Sequence, residues 1–387
     1  MSNANSPSKS PVLTTGKPED ADTVNGLVNA ISDAAFASWL DEKNRTENIL
    51  QGKSFFNGPA KRPDPERHKP SQLLRCPRLA VYRRRNAPKE SRAPNGLFWA
   101  GSEIEEQIVV PFLQAVTPED IYLQNSMWVD ETIDDDVEES LVVRGVTDPV
   151  LVTGEAEPLV VTEVKSTTSV EHRSSPSKHH RAQLMSYLYA LNQQHDHTIT
   201  GILLYLDRET FELKSFYEEF APEFWHGEVV PWMVEITGYE QRDELPPASP
   251  LYGWECEYCD YRHRCGQTDK QYSDVEARGF LPLTLYPRGQ IKDHLAAHDD
   301  VALTPTLANH FQVLAEQHEV APWQCPSCEG TYEWDSVDWD GDVDQPPVCP
   351  ACTDAGVFVV LRGPRPETGL RLGINSSRLS GSLPFRS

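Results

Sequence analysis

The chain has 387 residues, with 59 Asp and Glu against 35 Lys and Arg and a formal charge of −24. Such a length allows two domains, or one large domain with an appendage, and such acidity argues against general affinity for nucleic acid. No apolar span is long enough for a membrane helix and no signal peptide opens the chain, so a cytoplasmic protein is expected, with no membrane partner. Arginine outnumbers lysine, and the acid excess reads as a solvated surface. That surface suits a halophilic cytoplasm, where the screening length falls to about 3 Å at 1 M salt.

Residues 1–26 are rich in Ser, Pro, Asn and Thr and are expected to be disordered. A helix is predicted over Ala30 to Leu50, with Ile31, Ala35, Trp39 and Leu40 among its apolar positions. Loop chemistry at Asn57, Gly58, Pro59, Pro63 and Pro65 leads to Ser71, a candidate N-cap, or to a helix start at Pro77; either way Cys76 lies at or near that start. Between Arg67 and Arg92 nine Lys or Arg residues stand against Glu90 alone. That run is either a phosphate-contacting patch or a basic helix paired with acidic neighbours such as DDDVEE.

The next helix, LFWAGSEIEEQIVVPFLQAV, turns Ile104, Ile108 and Val109 to a core. Ile121 to Val129 reads as a strand and Asp130 to Glu139 as an acidic loop. Ser140 to Ser169 is dense in β-branched valines around a turn at Gly154 to Pro158, the pattern of a hairpin. The helical run HHRAQLMSYLYAL follows, then strands at TITGILLYLD and TFELKSFYEEF, then a helix over Pro222 to Gly238.

Alternation along a strand puts Glu163 and Lys165 on one face, and four-residue spacing puts Gln183 and Tyr187 on one helix face. Asp148 and Glu163 supply oxygen ligands for a hard divalent cation, Mg²⁺ or Mn²⁺. Lys165 beside them can orient a water or stabilise charge building on a phosphate. The set suits metal-assisted phosphodiester hydrolysis.

The eight cysteines form two sets of four. Cys256, Cys259 and Cys265 make C-x2-C-x5-C, and Cys76 is the one thiol left to close a four-sulfur site with them. Cys325-x2-Cys328 and Cys349-x2-Cys352, 20 residues apart, are paired C-P-x-C knuckles that form a tetrahedral Zn²⁺ ribbon. The segment between the knuckles is acidic (Asp335, Asp338, Asp340, Asp342, Asp344), so a structural or protein-docking ribbon is expected rather than a phosphate-binding one. Thr304 to Glu316 ahead of it reads as an amphipathic helix.

GVTD, then EVK, then Q-x-x-x-Y on the following helix resembles the PD-(D/E)XK nuclease superfamily, in its RecB-like branch; the motifs span Gly101 to Tyr187. The resemblance implies an α/β fold with a mixed central sheet, DNA as substrate, and metal held by Asp148, Glu163 and the carbonyl of Val164. It also implies that Lys165 positions the attacking water while Gln183 and Tyr187 hold the substrate or brace the site. Where the family often has a histidine four residues after a glycine, this chain has Glu105 after Gly101, so the expected ligand there is a carboxylate. Cys76 with Cys256, Cys259 and Cys265 is similar to the iron–sulfur subgroup, which includes the CRISPR-associated adaptation nuclease. That likeness implies a structural [4Fe–4S] cluster, with Zn²⁺ as the alternative metal.

The expected organisation is a disordered segment at 1–26, a nuclease domain at 27–270, a helical segment and zinc ribbon at 271–362, and a flexible tail at 363–387. The resemblance implies exonuclease cutting of single-stranded DNA ends in CRISPR adaptation or repair. A non-catalytic DNA- or protein-binding module that keeps its metal sites for shape is the competing expectation, and a redox protein using the cluster is a third. No P-loop pattern is present, which argues against an intrinsic helicase motor.

Overall fold

The computed structural model describes residues 31–50, 62–91, 95–133, 140–268, 272 and 278–364. The disordered segment expected at 1–26 and almost all of the expected tail lie outside these. The chain divides into two units, Met1–Gly58 and Pro59–Ser387. The described part of the first is helix α1 (Asp33–Leu50), on which Phe36 and Trp39 pack ring to ring at 5.9 Å.

The second unit holds three sheets among its described residues: a two-stranded pair of Trp323–Gln324 with Thr331–Tyr332, and two larger sheets that face a shared core. Strands β1 (Arg67–His68), β3 (Trp128–Ile133) and β4 (Leu141–Val146) form one, in the order β1-β4-β3. The other is a mixed five-stranded sheet of β2 (Tyr122–Gln124), β5 (Val150–Val152), β6 (Pro158–Thr167), β7 (Thr200–Asp207) and β8 (Leu213–Glu218), in the order β2-β5-β6-β7-β8. β6 and β7 run parallel, joined through helix α5 (Lys178–Gln194), and the other pairings in this sheet are antiparallel.

Two local expectations are corrected. The hairpin read over Ser140 to Ser169 is smaller: β5 and β6 pair around the turn, but β4 pairs with β3 and β1 in the other sheet. The chain changes sheet at Thr147–Asp148–Pro149. Thr147 exchanges hydrogen bonds with Met127, backbone to backbone at 2.9 Å and Met127 amide to Thr147 hydroxyl at 2.9 Å. Pro149 cannot donate to a ladder and holds Asp148 extended, so the ladder stops and Asp148 is left in the gap. The strand read over Ile121 to Val129 is likewise split between β2 and β3, and β3 runs on through Ile133.

Helix α5 lies across the sheet with one apolar side. Ala182, Leu184, Met185, Leu188 and Leu191 are buried with Val129, Val143, Val161, Leu203, Trp225 and Met233 in a single core. Close approach is what places glycine at Gly145: a Cβ there would lie 2.7 Å from Pro70 Cδ.

Helices α3 (Asn95–Ile104) and α4 (Val110–Val116) are joined by one wide π-helical turn, Glu105–Val109. The amide of Val110 bonds the carbonyl of Glu105, five residues back. Pro111 supplies the cause, because its ring would collide with the carbonyl four residues earlier in a regular helix. The same device recurs at Trp225–Val229 ahead of Pro231, which opens into α6 (Val230–Gln241).

Helix α2 (Pro77–Arg84) starts at Pro77 with Cys76 as its N-cap residue. Part of the basic run around it is spent inside the protein, which removes Arg84 and Arg85 from any phosphate patch. Arg84 and Arg85 are buried against Glu240, at 3.6 and 3.0 Å, and Arg78 Nε donates to the carbonyl of Pro246 at 2.7 Å.

Beyond that core, Phe280, Leu281, Tyr286, Leu295, Leu303 and Leu307 form a second cluster, on helices α7 (Arg288–Ala297) and α8 (Pro305–His310) and their approaches. The helix expected over Thr304 to Glu316 breaks at Phe311, whose φ of −126° is extended. A third cluster, Trp323, Cys325, Cys349, Cys352 and Leu361, packs the ribbon. No helix among the described residues is long and apolar enough to cross a membrane.

Candidate active site and metal centres

Glu163 and Lys165 stand on the α5 side of β6. Glu163 is fully buried and its Oε1 forms an ion pair with Lys165 Nζ. Lys165 Nζ also donates to Gln183 Oε1 at 3.4 Å. Gln183 Nε2 then donates to the Tyr187 hydroxyl at 3.2 Å, and that hydroxyl donates to the carbonyl of Val146 at 2.8 Å. This chain of bonds ties α5 to the end of β4, two residues before Asp148.

Asp148 crosses the gap between the sheets and accepts the Val164 amide at 2.7 Å through Oδ2. Pairing of β5 with β6 ends at Val161, so this edge of β6 carries no strand at Val164. A residue's N–H and C=O point to the same edge of a strand, so the Val164 carbonyl faces the same opening as Asp148.

The electrostatics are those of crowded acids. Burial, with Asp148 and Glu105 adding repulsion, pushes Glu163 up to about 8 despite Lys165. Glu105, on the wide turn, is pushed up to about 7 by burial, then by Asp148 and Glu106. Burial also raises Asp148, against the pull of Lys165 and the Val164 amide. Lys165 is raised as well: burial would lower it, but Glu163 and Asp148 together outweigh that and hold the ammonium form.

These residues fit a divalent cation. Glu163 Oε2 is buried with no hydrogen-bond partner among the described residues. A fully buried, unsatisfied carboxylate oxygen beside two further raised acids is costly unless a positive ion satisfies it. Asp148, Glu163, Glu105 and the Val164 carbonyl are the groups that would hold that ion.

Residues outside the motif complete the surroundings. His180 Nδ1 lies 2.9 Å from the Tyr205 hydroxyl, and Tyr205 is paired with Lys165 across β6 and β7. Arg75 Nη1 lies 3.3 Å from His179 Nε2 and 3.9 Å from Glu255 Oε1. Burial, then Lys165 and Arg75, pushes His180 down to about 2, so it stays neutral. The adjacent histidines opening α5 were the available signal, but Arg75 arrives from a segment more than a hundred residues away.

The ribbon's four sulfurs assemble at metal-holding distance, and the other four cysteines line a common pocket. Cys325 and Cys352 sulfurs are 3.7 Å apart, Cys328 and Cys349 sulfurs 3.6 Å, and all four lie within 4.8 Å of one another. A tetrahedral zinc with bonds of about 2.3 Å requires sulfur separations of about 3.8 Å, so the site fits a metal-binding ribbon. The Cys328 and Cys352 amides point at the sulfurs of Cys325 and Cys349, at 3.4 and 3.5 Å. Cys76, Cys256, Cys259 and Cys265 line one small pocket with Leu79, Tyr82 and Arg262. Burial pushes the Cys259 thiol up to about 12 and raises Cys256 and Cys265, so thiolates there need a cation to compensate them.

The loop that carries these thiols is clamped by Glu90. Glu90 Oε1 accepts the Arg264 amide at 2.8 Å and Oε2 accepts the His263 amide at 2.8 Å. Arg264 is fully buried, and its guanidinium bonds the carbonyl of Gly279 and, at 3.3 Å, the Tyr286 hydroxyl.

A sequence model of the PD-(D/E)XK nuclease superfamily matches residues 48–266. The chain belongs to that superfamily, whose members are generally nucleases that use divalent metals. Among solved structures, one titled "Crystal structure of SSO0001" is 18% identical, with a TM-score of 0.38, and the match covers 60% of this chain and 98% of that one. That likeness is too slight to carry an argument. No curated protein sequence matches the chain.

Proposed function

We propose that the protein is a divalent-metal-dependent deoxyribonuclease of the RecB-like iron–sulfur branch, acting as an exonuclease on single-stranded DNA ends in CRISPR adaptation or repair. The observation that carries the hydrolytic reading is that Asp148 is bonded to the Val164 amide between Glu163 and Lys165, which are ion-paired, while Glu163 Oε2 is left without a partner. Bound there, Mg²⁺ or Mn²⁺ would polarise a phosphate oxygen and acidify a water.

The chain's own groups have separable roles. Asp148 is fixed by the Val164 amide, so one of its oxygens has a set direction. Lys165 stays an ammonium and therefore donates, to water or to phosphate, rather than taking up a proton. Gln183 fixes Lys165, and Tyr187 braces Gln183 against β4. Purified protein with Mn²⁺ is expected to degrade labelled single-stranded DNA, and Lys165→Ala to lose that activity at least 100-fold. Equal cleavage by both would refute the assignment.

We assign a structural [4Fe–4S] cluster to Cys76, Cys256, Cys259 and Cys265, with Zn²⁺ as the alternative, because a buried helix N-cap thiol and three half-buried thiols line one pocket. A visible charge-transfer band in the anaerobically purified protein separates iron from zinc. The ribbon takes Zn²⁺ and serves structure or protein docking, given its acidic linker. Glu105 in place of histidine favours a second reading, a non-catalytic DNA-binding module. DNA retention without cleavage, unchanged in Asp148→Ala, would establish that alternative.

A further inference from the structure

Next to the first turn of α5 stands an aromatic stack that the catalytic reading does not use. Tyr252 and Trp254 are stacked, with ring centroids 5.7 Å apart and planes at 10°. Trp254 remains 50% exposed. Tyr252 packs edge-on against His179 at 5.3 Å and its hydroxyl accepts the Lys178 amide at 3.3 Å.

The stack is therefore fastened to the helix that carries Gln183. A rise of about 1.5 Å per residue sets His179 about 6 Å from Gln183 along α5. Arg75 lies between the two places, bonded to His179 and close enough for its charge to act on Lys165. Its Nε is buried with no hydrogen-bond partner among the described residues. Glu255, which faces Arg75, is already engaged by the Leu251 and Tyr252 amides at 2.9 and 3.4 Å. An exposed aromatic face beside a partly unsatisfied guanidinium, continuous with a hydrolytic centre, matches the two needs of a single strand: a stacking surface for a base and a cation for a phosphate.

Resting on the nuclease reading, we infer that Trp254, backed by Tyr252, and Arg75 form a nucleotide subsite adjoining the catalytic centre. Trp254 stacks an unpaired base and Arg75 engages the neighbouring phosphate, so the subsite selects single strands over duplex. Both residues flank cysteines of the proposed cluster: Arg75 precedes Cys76, and Trp254 stands two residues before Cys256. The cysteine site thereby positions the subsite.

Binding is read in the uncleaving Lys165→Ala protein with a short single-stranded oligonucleotide carrying 2-aminopurine, and with a blunt duplex of the same sequence. Trp254→Ala is expected to weaken single-strand binding about 5- to 100-fold and to remove the change in 2-aminopurine emission, while Trp254→Phe keeps most of both. Arg75→Ala should weaken binding and flatten its salt dependence. With Lys165 restored, Trp254→Ala should raise KM for the single strand far more than it lowers kcat. Metal content is measured alongside; Trp254→Leu, bulky but without a π face, replaces the alanine variant if that variant loses its cysteine-bound metal. An unchanged Kd in Trp254→Ala, or equal losses for strand and duplex, overturns the subsite. Absence of any cleavage by the wild-type protein would instead sink the nuclease reading, and the binding comparison would still decide the subsite.

Discussion

Tyr187 gives its hydroxyl hydrogen to the carbonyl of Val146 at 2.8 Å, and so joins helix α5 to the strand that delivers Asp148. Gln183 gives its own hydrogen to that hydroxyl and accepts one from Lys165. The helix thus fixes both the acid and the ammonium side of the site. Tyr187→Phe removes the link without changing bulk. It is expected to cost about 0.5–1.5 kcal/mol of stability and to lower kcat about tenfold with little change in KM, as steady-state cleavage and urea unfolding will show.

Millimolar Mn²⁺ or Mg²⁺ should raise the thermal midpoint, because the crowded carboxylates bind the ion when folded and not when unfolded. At a concentration 100 times Kd the gain is about 2.7 kcal/mol. Asp148→Asn and Glu163→Gln should each lose most of it. Differential scanning calorimetry with and without the ion makes the comparison.

Gly145 is held under Pro70, with no room for a Cβ. Gly145→Ala is expected to destabilise the protein by about 1–3 kcal/mol through overpacking. It should also reduce cleavage, since β4 carries Asp148. Chemical denaturation with a parallel activity assay tests both.

His68 is buried against the Thr237 hydroxyl at 3.0 Å, and burial, with Arg84 adding repulsion, pushes it down to about 3. Below the ordinary histidine value of about 6.5 the unfolded chain takes up a proton that the folded protein refuses. Stability from this group is complete above pH 6.5 and is lost as pH falls toward 3, at about 1.4 kcal/mol per pH unit. Urea midpoints measured from pH 7.5 to 5 should fall, and His68→Gln should show a slope smaller by one proton.

Cys352→Ser should lose one zinc equivalent and the near-ultraviolet signal of Trp323 and Trp339, which pack edge to face at 5.2 Å in the ribbon. The Mn²⁺-dependent gain in stability should survive, since the acids belong to a different core. Elemental analysis and circular dichroism decide it.

How far the sequence revealed this arrangement depends on the range of the interaction. Glu163 with Lys165 and Gln183 with Tyr187 follow from strand and helix periods, which are local, and the structure brings all four together with Asp148. The C-P-x-C knuckles are local too. The sheet change at Asp148 was not legible, because valines suit either sheet and pairing partners lie elsewhere in the chain. The basic run misled for a similar reason. Composition shows the arginines but not Glu240, the buried acid that Arg84 and Arg85 share from about 155 residues away. Arg75 was counted within that same run, but composition did not show that it reaches His179 on α5.

The wide turn before Pro111 has a consequence for how the acid at Glu105 is aimed. One additional residue per turn shifts the angular phase of everything upstream by about a third of a revolution relative to an unbroken α-helix. In that shifted phase Gly101 faces Ser166 and Glu105 comes within electrostatic reach of Asp148. A proline that touches no substrate thus acts as a set-screw for a carboxylate six positions away, and helix-strengthening substitutions at Pro111 would straighten the rod at the expense of where it points.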